Sequence, residues 1–230
     1  MPGEDPLPHR SRRHVVALGH LARPLPERTA APPGAPRVLP DPRGARGVPQ
    51  ATRVPVAADE DAENGFVHGG WTLPYWHDDI GTHFFQAMRE ADALLLGRKT
   101  WQIHGGAFEP MPVGDPFGDV MNGIQKYVVS TTLESAAEWR NSTLISRDVV
   151  DEVRKLKEQD GKNILLDGSS VLAHTLMEND LVDEYSLHVY PLVLGSGKRL
   201  FPEGKRVDLK LIGSQALPTG VLFQQYEPAR

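Results

Sequence analysis

The stretch ILLDGSSVLAHTLMENDLVDEYSLHVY, residues 164–190, decides the fold. It begins with a short apolar run that ends at Gly168, continues with apolar residues at helical spacing, among them Leu172 and Leu176, and closes with a second apolar run. Short apolar runs bounded by turn residues are typical of buried strands, and the helical spacing predicts an amphipathic helix between them. Strands joined by a crossover helix pair in parallel. The stretch therefore predicts an α/β fold.

The same alternation of helices and strands extends over the chain on both sides of this stretch. Before it, the sequence predicts a helix capped by Asp78 or Asp79, the strand ALLLG, the strand KYVVS, the short strand STLIS and a helix from Asp148 to a stop at Gly161. After it, two strands around VDLKLIG and VLFQQYE close the chain. The early βαβα order predicts parallel pairing, and the strand-rich end predicts an antiparallel edge.

Residues 1–58 differ in composition from the rest of the chain. They hold twelve of the twenty prolines and nine arginines against four acidic residues, but no lysine and no aromatic residue. Such a segment cannot bury enough apolar surface to offset the entropy of ordering. We therefore predict a disordered or aberrant arm over residues 1–60 and one folded domain over residues 61–230.

The composition also excludes several kinds of site. The chain has no cysteine, which excludes a disulfide framework, a thiolate nucleophile and a zinc site built on cysteine pairs. The nine histidines show no ligand spacing, and we predict no metal site. No apolar run reaches the about 18 residues of a membrane span, and a formal charge of −5 gives no general attraction to nucleic acid. We predict a cytoplasmic protein that binds neither membranes nor nucleic acid.

Three predicted strands end in small, hydroxyl-bearing or cationic residues. ALLLG ends at Gly97-Arg98-Lys99-Thr100, KYVVS at Ser130-Thr131, and NILLD at Gly168-Ser169-Ser170. In open α/β sheets, ligands bind beyond the carboxyl ends of parallel strands, where helix N-termini and glycine backbones can approach phosphate groups. Each segment alone is more typical of a turn with a helix cap or of a solvated edge. Together they favour a phosphorylated ligand, although the sequence has neither Gly-x-Gly-x-x-Gly nor a P-loop motif.

A family resemblance is carried by three segments: ADALLLGRKTW at residues 91–101, QKYVVSTTLE at residues 125–134, and the block at residues 164–202. They resemble the dihydrofolate-reductase-like family, in the branch that includes the C-terminal reductase domain of the riboflavin-biosynthesis deaminase-reductase. The resemblance spans residues 64–227. It implies a mixed, mostly parallel sheet flanked by helices, with NADPH across the strand ends. A fused deaminase is excluded, because its zinc site needs cysteines.

The resemblance also implies which residues contact NADPH. The cations after the first strand would meet the phosphates and favour NADPH over NADH. The hydroxyls after the second strand would lie by the ribose, and the helix after the third would hold the pyrophosphate. The residues so implied are Gly97, Arg98, Lys99, Thr100, Ser130, Thr131, Gly168, Ser169, Ser170 and Val171.

The segment WTLPYWHDD, which starts at Trp71, resembles the part of dihydrofolate reductase in which an acidic residue at a helix start binds and helps to protonate the pterin. The resemblance implies a catalytic role for Asp78 and Asp79. Together with Trp71, the side chains of Tyr75 and Trp76 would form an aromatic wall for a flat substrate. Structural roles stay open, because the aspartates can cap a helix and the aromatic residues can belong to the core.

One family feature is missing. Members open with an interior strand that leads into a Ser-Leu-Asp-Gly motif beside the nicotinamide and the substrate, and this motif is absent here. HVVAL, residues 14–18, is a candidate strand but continues into Pro-rich chain, and TRVPV, residues 52–56, carries a proline that an interior strand does not tolerate. We therefore expect a sheet without its first interior strand. An altered or mistranslated start is one hypothesis for residues 1–60.

The resemblance as a whole implies an NADPH-dependent reductase of a small heterocyclic or carbonyl substrate, similar to a flavin precursor or a pterin. The alternative is a non-catalytic nucleotide-binding protein that lost its substrate site together with the first strand. Family members commonly pair through their C-terminal strands, and the apolar segments YSLHVYPLVLG and VLFQQY offer strand edges for such pairing. We predict a homodimer.

Overall fold

The computed structural model of the protein describes residues 13–22, 68–195, 197–202 and 204–229. In this part the chain forms one eight-stranded sheet and five α-helices. The strands are β1 (Val15–Ala22), β2 (Ala91–Gly97), β3 (Gln125–Val129), β4 (Ser142–Ile145), β5 (Asn163–Asp167), β6 (Glu184–Tyr190), β7 (Leu209–Ala216) and β8 (Leu222–Pro228). The helices are α1 (Asp78–Arg89), α2 (Arg98–Phe108), α3 (Pro116–Gly123), α4 (Val149–Glu158) and α5 (Ser170–Glu178).

The sheet is mixed and mostly parallel. Its strand order is β4-β3-β2-β5-β1-β6-β8-β7, and every neighbouring pair from β4 to β6 is parallel. β8 runs antiparallel to both β6 and β7. The predicted fold class, a mostly parallel sheet flanked by helices with an antiparallel C-terminal edge, is therefore confirmed.

Helices cover both faces of the sheet. On one face, α4 and α5 contribute Val153 and Leu176 to a large apolar cluster. On the other face, α1, α2 and α3 contribute Met88, Trp101 and Met121 to a second cluster. The central strands β2 and β5 are buried on both faces, which explains why the sequence of each is a continuous apolar run rather than an alternating one.

β1 lies in the interior of the sheet, between β5 and β6. It pairs in parallel with both neighbours, and Val15, Val16 and Ala17 are buried. The expectation of a sheet without its first interior strand is therefore wrong, and so is the predicted disorder for residues 13–22. A short apolar run is enough for this position because both neighbouring strands supply backbone partners and helices cover both faces.

β1 lacks the Ser-Leu-Asp-Gly motif and continues instead through Gly19. A Cβ at this position would lie 3.1 Å from side-chain carbons of both Leu187 and Leu200, so the close approach of these side chains favours glycine. The rest of the predicted arm, residues 1–12 and 23–60, lies outside the described residues, and the boundary between arm and domain stays a prediction.

Two carboxylates hold the start of β1. The buried guanidinium of Arg13 forms an ion pair with Asp92. The backbone N–H of Val15 donates to Oδ2 of Asp183 at 2.9 Å, and Lys157 pairs with the same carboxylate. A buried charge is stable only when it is paired. These contacts therefore fix the first strand to residues far along the chain.

Two helix starts differ from the prediction. α1 is capped by His77, whose Nδ1 accepts a hydrogen bond from the N–H of Asp79 at 3.2 Å, so Asp78 and Asp79 lie in the first turn rather than at the cap. Their charges still face the positive end of the helix dipole. Asp148 precedes α4 but has a φ of 53° and makes no cap hydrogen bond through its side chain, and the helix ends at Glu158, earlier than predicted.

Candidate functional site

The turns that follow β2 and β5 meet at one edge of the sheet. The backbone N–H of Gly97 donates to Oγ of Ser169 at 2.7 Å, and the same oxygen lies 2.9 Å from Oγ1 of Thr100. A Cβ on Gly97 would lie 2.8 Å from this hydroxyl, and Gly168 has a φ of 60°. Both positions therefore favour glycine, and two of the predicted phosphate-binding turns form one continuous surface, here called the phosphate-binding edge.

The helices that start in these turns, α2 and α5, share an electrostatic feature. Neither has a side-chain hydrogen bond at its N-cap, and neither has an acidic residue in its first turn. By contrast, α1, α3 and α4 each carry acidic residues there. The first turn of α2 instead holds Arg98 and Lys99, two cations at the positive end of a helix dipole. This arrangement is unfavourable alone and becomes favourable when an anion binds.

The third predicted strand end, after β3, lies beside β2. Gly97 is in register with Val129, so Ser130 follows at the same edge of the sheet. The buried hydroxyl of Ser130 accepts a hydrogen bond from the N–H of Thr132 at 3.1 Å, which closes its own turn. Thr131 is exposed next to it. The structure thus brings all three predicted strand ends together, with Ser130 shaping the turn.

The other predicted cofactor residues surround the same edge. Nη1 of Arg98 donates to Oε1 of Gln102 at 3.1 Å, and Lys99 is exposed. Ser170 and Val171 begin α5, and the side chain of Val171 is largely exposed. Their contribution toward a ligand is therefore the backbone N–H groups of the first helical turn.

A cavity of about 240 Å³ lies between α1 and the sheet and reaches the phosphate-binding edge at Thr100 and Gly168. Its walls include the aromatic rings of Trp76, Phe84, Phe108, Phe117, Tyr190 and Phe223. The acidic and imidazole side chains that line it are His83, Glu90, His104, Asp167, Glu184 and His188. A concave, mostly apolar site with a few polar groups is arranged for a small organic ligand.

The predicted aromatic wall divides between the cavity and the core. Trp76 is 37% exposed and lines the cavity. Trp71 and Tyr75 pack edge-on against Tyr190, with ring centroids 4.9 Å and 5.9 Å apart. Trp76 can therefore meet a ligand directly, while the other two rings support the wall.

Asp78 and Asp79 lie outside the lining of the cavity. Asp79 is connected to it by hydrogen bonds, since Nε2 of Gln215 donates to its Oδ2 at 3.4 Å and Oε1 of Gln215 lies 3.0 Å from Nε2 of His83. Nδ1 of His83 lies 3.2 Å from Nε2 of His188, which is buried. An amide oxygen only accepts, so His83 donates from Nε2 and its Nδ1 accepts from His188. Asp79, which was predicted to be catalytic, thus acts through Gln215: it fixes the tautomer of His83, and His83 in turn orients His188.

The sequence model of the RibD C-terminal domain family matches residues 58–223. The chain belongs to this family. Two relatives come from Bacillus subtilis (strain 168). The uncharacterized protein YyaP is 31% identical over 166 residues, which cover 69% of this chain and 86% of YyaP. The uncharacterized protein YwjB is 30% identical over 126 residues, which cover 55% of this chain and 66% of YwjB. The solved structure of a candidate riboflavin biosynthesis protein from Shewanella sp. PV-4 has a TM-score of 0.52 at 23% identity, covers 65% of this chain and 80% of its own, and shows the same fold.

This match confirms the resemblance to the branch that includes the reductase domain of the riboflavin-biosynthesis deaminase-reductase. The matched range begins after β1, although β1 is an interior strand of this RibD C-terminal domain. The sequence did not show that HVVAL forms this first interior strand, because the segment is short and lacks the family's Ser-Leu-Asp-Gly.

The polar residues that β6 and α1 contribute to the cavity were missed at the level of sequence. Glu184, Ser186 and His188 alternate along β6, whose intervening positions are apolar, so they share one face of an interior strand. Polar residues at every second position of such a strand are a usable signal for a polar cavity wall. The sequence indicated His83 less clearly. It lies one helical turn after Asp79 on α1, so the two residues share one face of the helix.

A second acid–imidazole pair joins the cavity of this RibD C-terminal domain to the phosphate-binding edge. Asp167, the last residue of β5, directly precedes Gly168, and its Oδ2 lies 3.7 Å from Nδ1 of His104 on α2. This ring nitrogen is buried and has no hydrogen-bond partner among the described residues. Buried polar atoms are almost always satisfied, so the nitrogen marks a place for a water molecule or a ligand atom.

In the described part of the RibD C-terminal domain, no group of three or more His, Asp or Glu side chains is placed to hold a metal ion. No described helix combines the length and apolar character needed to cross a bilayer. The side chain of His174 packs on the surface instead, with Nε2 lying 3.0 Å from the carbonyl oxygen of Arg199.

Proposed function

We propose that the protein is an NADPH-dependent reductase of a small heterocyclic or carbonyl substrate, similar to a flavin precursor or a pterin. The observation that carries this proposal is the meeting of two helix N-termini, α2 and α5, that have no capping side chain and no acidic residue, beside Arg98 and Lys99. Membership of the RibD C-terminal domain family and the adjoining cavity support it.

The phosphate-binding edge provides the groups that a dinucleotide needs. Backbone N–H groups in the first turns of α2 and α5 suit the pyrophosphate, and Arg98 and Lys99 suit the additional phosphate that distinguishes NADPH from NADH. NADPH, when bound, supplies a hydride. The role of the protein would be to hold the phosphates of NADPH at this edge and to place the substrate in the adjoining cavity.

Reduction of a C=N or C=O bond also requires a proton. In this proposal the proton comes from water in the cavity, because the Nε2–H of His188 is directed at His83 and a neutral imidazole has no second N–H. His188 lines the cavity, is held in orientation by His83 and positions that water. Gln215 and Asp79 act through His83 as positioning residues. The role first predicted for Asp79, a direct proton donor at the helix start, becomes an indirect one.

Calorimetric titration of the full chain with NADPH and with NADH tests the cofactor assignment. We expect NADPH to bind at least about tenfold more tightly, because charge-assisted contacts to the additional phosphate contribute roughly 1.5–3 kcal/mol. The double variant Arg98→Ala/Lys99→Ala should lose this preference. Consumption of NADPH in the presence of pterins, quinones and flavin precursors then tests the reaction.

A matched control removes two cations elsewhere. Arg154 and Lys155 are neighbouring, exposed residues of α4, and Arg154→Ala/Lys155→Ala changes the net charge by the same amount. This variant should bind NADPH as the wild type does. Equal affinity of the wild type for the two nucleotides, or equal losses in both double variants, would contradict the proposal.

A further inference from the structure

The cavity has a charge pattern that restricts its ligand. Of the described residues that line it, three are carboxylates, Glu90, Asp167 and Glu184, and none is a lysine or an arginine. Arg98 and Lys99 lie at the neighbouring edge, outside this lining. The imidazoles in the lining are already engaged, since His83 accepts from His188 and His104 lies beside Asp167. A phosphate or carboxylate inside the cavity would therefore face like charges without a lysine or arginine to compensate them, which is unfavourable away from bulk water.

One wall of the cavity is a row of polar side chains. Glu184, Ser186 and His188 alternate along β6, and Gln225 lies beside them on β8, in register with Ser186. Ser186 and His188 are only 7% and 8% exposed. Polar groups at this depth are stable only when they have hydrogen-bond partners, so a ligand that displaces water from this wall must replace those partners.

Glu184 is held in a fixed orientation within this row. Its Oε1 accepts two hydrogen bonds, from Oγ of Ser186 at 3.1 Å and from Nε2 of Gln225 at 3.0 Å. Both donors bind the same oxygen, so Oε2, to which no described residue donates, is left to accept from a ligand. An ionised carboxylate is an acceptor only, and its partner must therefore carry an N–H or O–H group.

The remaining walls are flat and apolar. The rings of Phe84 and Phe117 stack with centroids 5.6 Å apart, and the imidazole of His83 stacks on Phe223 at 3.9 Å. Trp76 adds an indole that is partly exposed. Such walls favour a planar ring over a branched or saturated one.

We propose that this cavity binds a planar nitrogen heterocycle that carries N–H donors and no phosphate or carboxylate, with Oε2 of Glu184 accepting a hydrogen bond from one of its donors. The proposal deepens the reductase assignment, and it rests on that assignment only where it calls the heterocycle a substrate. It predicts that acceptor-only and anionic rings of the same size are rejected, because they leave Glu184 buried against another acceptor or another charge.

Two probes with the same ring system test the proposal. Diaminoquinazoline presents amino groups on its pyrimidine ring, and dimethoxyquinazoline presents methoxy groups, which only accept hydrogen bonds, at the same two positions. We expect calorimetry on the full chain to show diaminoquinazoline binding at least about tenfold more tightly than dimethoxyquinazoline. Orotate, a planar pyrimidine carboxylate, should not displace the bound diaminoquinazoline.

Three variants link this preference to Glu184. Glu184→Gln keeps the shape but removes the charge, and it should weaken diaminoquinazoline about tenfold while changing dimethoxyquinazoline less than about threefold. Ser186→Ala removes one of the groups that orient Glu184 and should weaken diaminoquinazoline by a smaller factor. Glu158→Gln, an exposed position at the end of α4, is the matched control and should change neither affinity.

Each contrary result overturns the proposal. These results are equal or tighter binding of dimethoxyquinazoline, displacement by orotate, no effect of Glu184→Gln in a variant that melts as the wild type does, and absence of diaminoquinazoline binding. NADPH titration of the same wild-type sample separates the two claims. If NADPH binds and diaminoquinazoline does not, only the cavity assignment fails; if diaminoquinazoline binds and NADPH does not, only the reductase assignment fails.

Discussion

Gly97 and Gly168 leave no space for a side chain at the phosphate-binding edge. A Cβ on Gly97 would lie 2.8 Å from Oγ of Ser169, and one on Gly168 would lie 3.0 Å from Oγ1 of Thr100. We expect Gly97→Ala to lower the free energy of unfolding by about 1–3 kcal/mol, because the added methyl group displaces the hydroxyl that accepts from the Gly97 N–H. Chemical denaturation measures this change, and NADPH titration of the variant should show weaker binding.

Gly106, in α2, is the matched control at the same scale. A Cβ at this position would meet nothing within 4 Å. Gly106→Ala should therefore raise the free energy of unfolding by about 0.5–1 kcal/mol, since alanine loses less backbone entropy in a helix. Destabilisation by both substitutions to the same extent would show that crowding at the edge is not the cause.

At the scale of elements, the C-terminal end of α3 is closed by a buried cation. Nζ of Lys126 donates to the carbonyl of Met121 at 2.9 Å and to that of Ile124 at 2.7 Å, and it lies 4.5 Å from the centroid of the Trp139 ring. Burial lowers the pKa of Lys126 from 10.5 to about 8. Between these two values the unfolded chain binds more protons than the folded chain, so this group makes the folded state more stable as pH rises.

This cation gives a pH-dependent prediction. The unfolding free energy of the wild type, minus that of Lys126→Met, should rise from about pH 8 toward pH 10.5. Denaturation curves across this range supply the difference, and a constant difference would contradict a buried, titrating Lys126.

β1 is the element whose place depends most on distant contacts. Arg13 is buried at its start and paired with Asp92, and Arg13→Met leaves that carboxylate, which is partly exposed, without its partner. We expect a loss of about 1–3 kcal/mol in the free energy of unfolding. Arg154→Met, at an exposed site on α4, should change it by less than about 0.5 kcal/mol.

Hydrogen exchange gives an independent measurement on the same strand. The amides of Val16 and Ala17 lie between β5 and β6 and should exchange as slowly as those of Leu165 and Leu166 in β5. Fast amide exchange in β1 together with slow exchange in β5 would show that β1 is not part of the folded sheet.

At the scale of the whole molecule, β7 is the outer strand at the antiparallel edge of the described sheet, and Leu211 and Ile212 on it are 51% and 47% exposed. The segments that were expected to offer edges for pairing, YSLHVYPLVLG and VLFQQY, do not offer them, because β6 and β8 lie inside the sheet. An exposed apolar edge strand is a template for pairing with another chain, which makes a homodimer through β7 our proposal for the assembly. Ile212→Lys should shift the protein toward monomer in sedimentation experiments, because lysine on an edge strand opposes pairing.

Val113→Lys is the control for this assembly, since Val113 is 90% exposed and belongs to the segment between α2 and α3. It should leave the oligomeric state unchanged. A monomeric wild type, or dissociation by both lysine substitutions, would contradict pairing through β7.

The relation between sequence and structure differs from element to element. The apolar runs of β2 and β5 predicted buried strands because two covered faces require apolar residues at every position. Glycine residues at the strand ends predicted a close backbone approach, which the structure has at Gly97 and Gly168, because such an approach excludes a side chain. Phosphate binding at this edge stays a prediction. HVVAL was a candidate strand, but the interior place of β1 was not predicted, since its apolar run is short and its partners lie in β5 and β6.

The sequence by itself determined the α/β alternation, the antiparallel end of the sheet and the residues that form the phosphate-binding edge. These features follow from local periodicity and from residue types at strand ends, which neighbours in the chain decide. Only the tertiary structure decided the interior place of β1, the contact of His83 with His188 across 105 residues, and a cavity whose described lining has carboxylates without lysine or arginine. Such features depend on the order of strands in the sheet, which brings distant residues together and which local patterns do not encode.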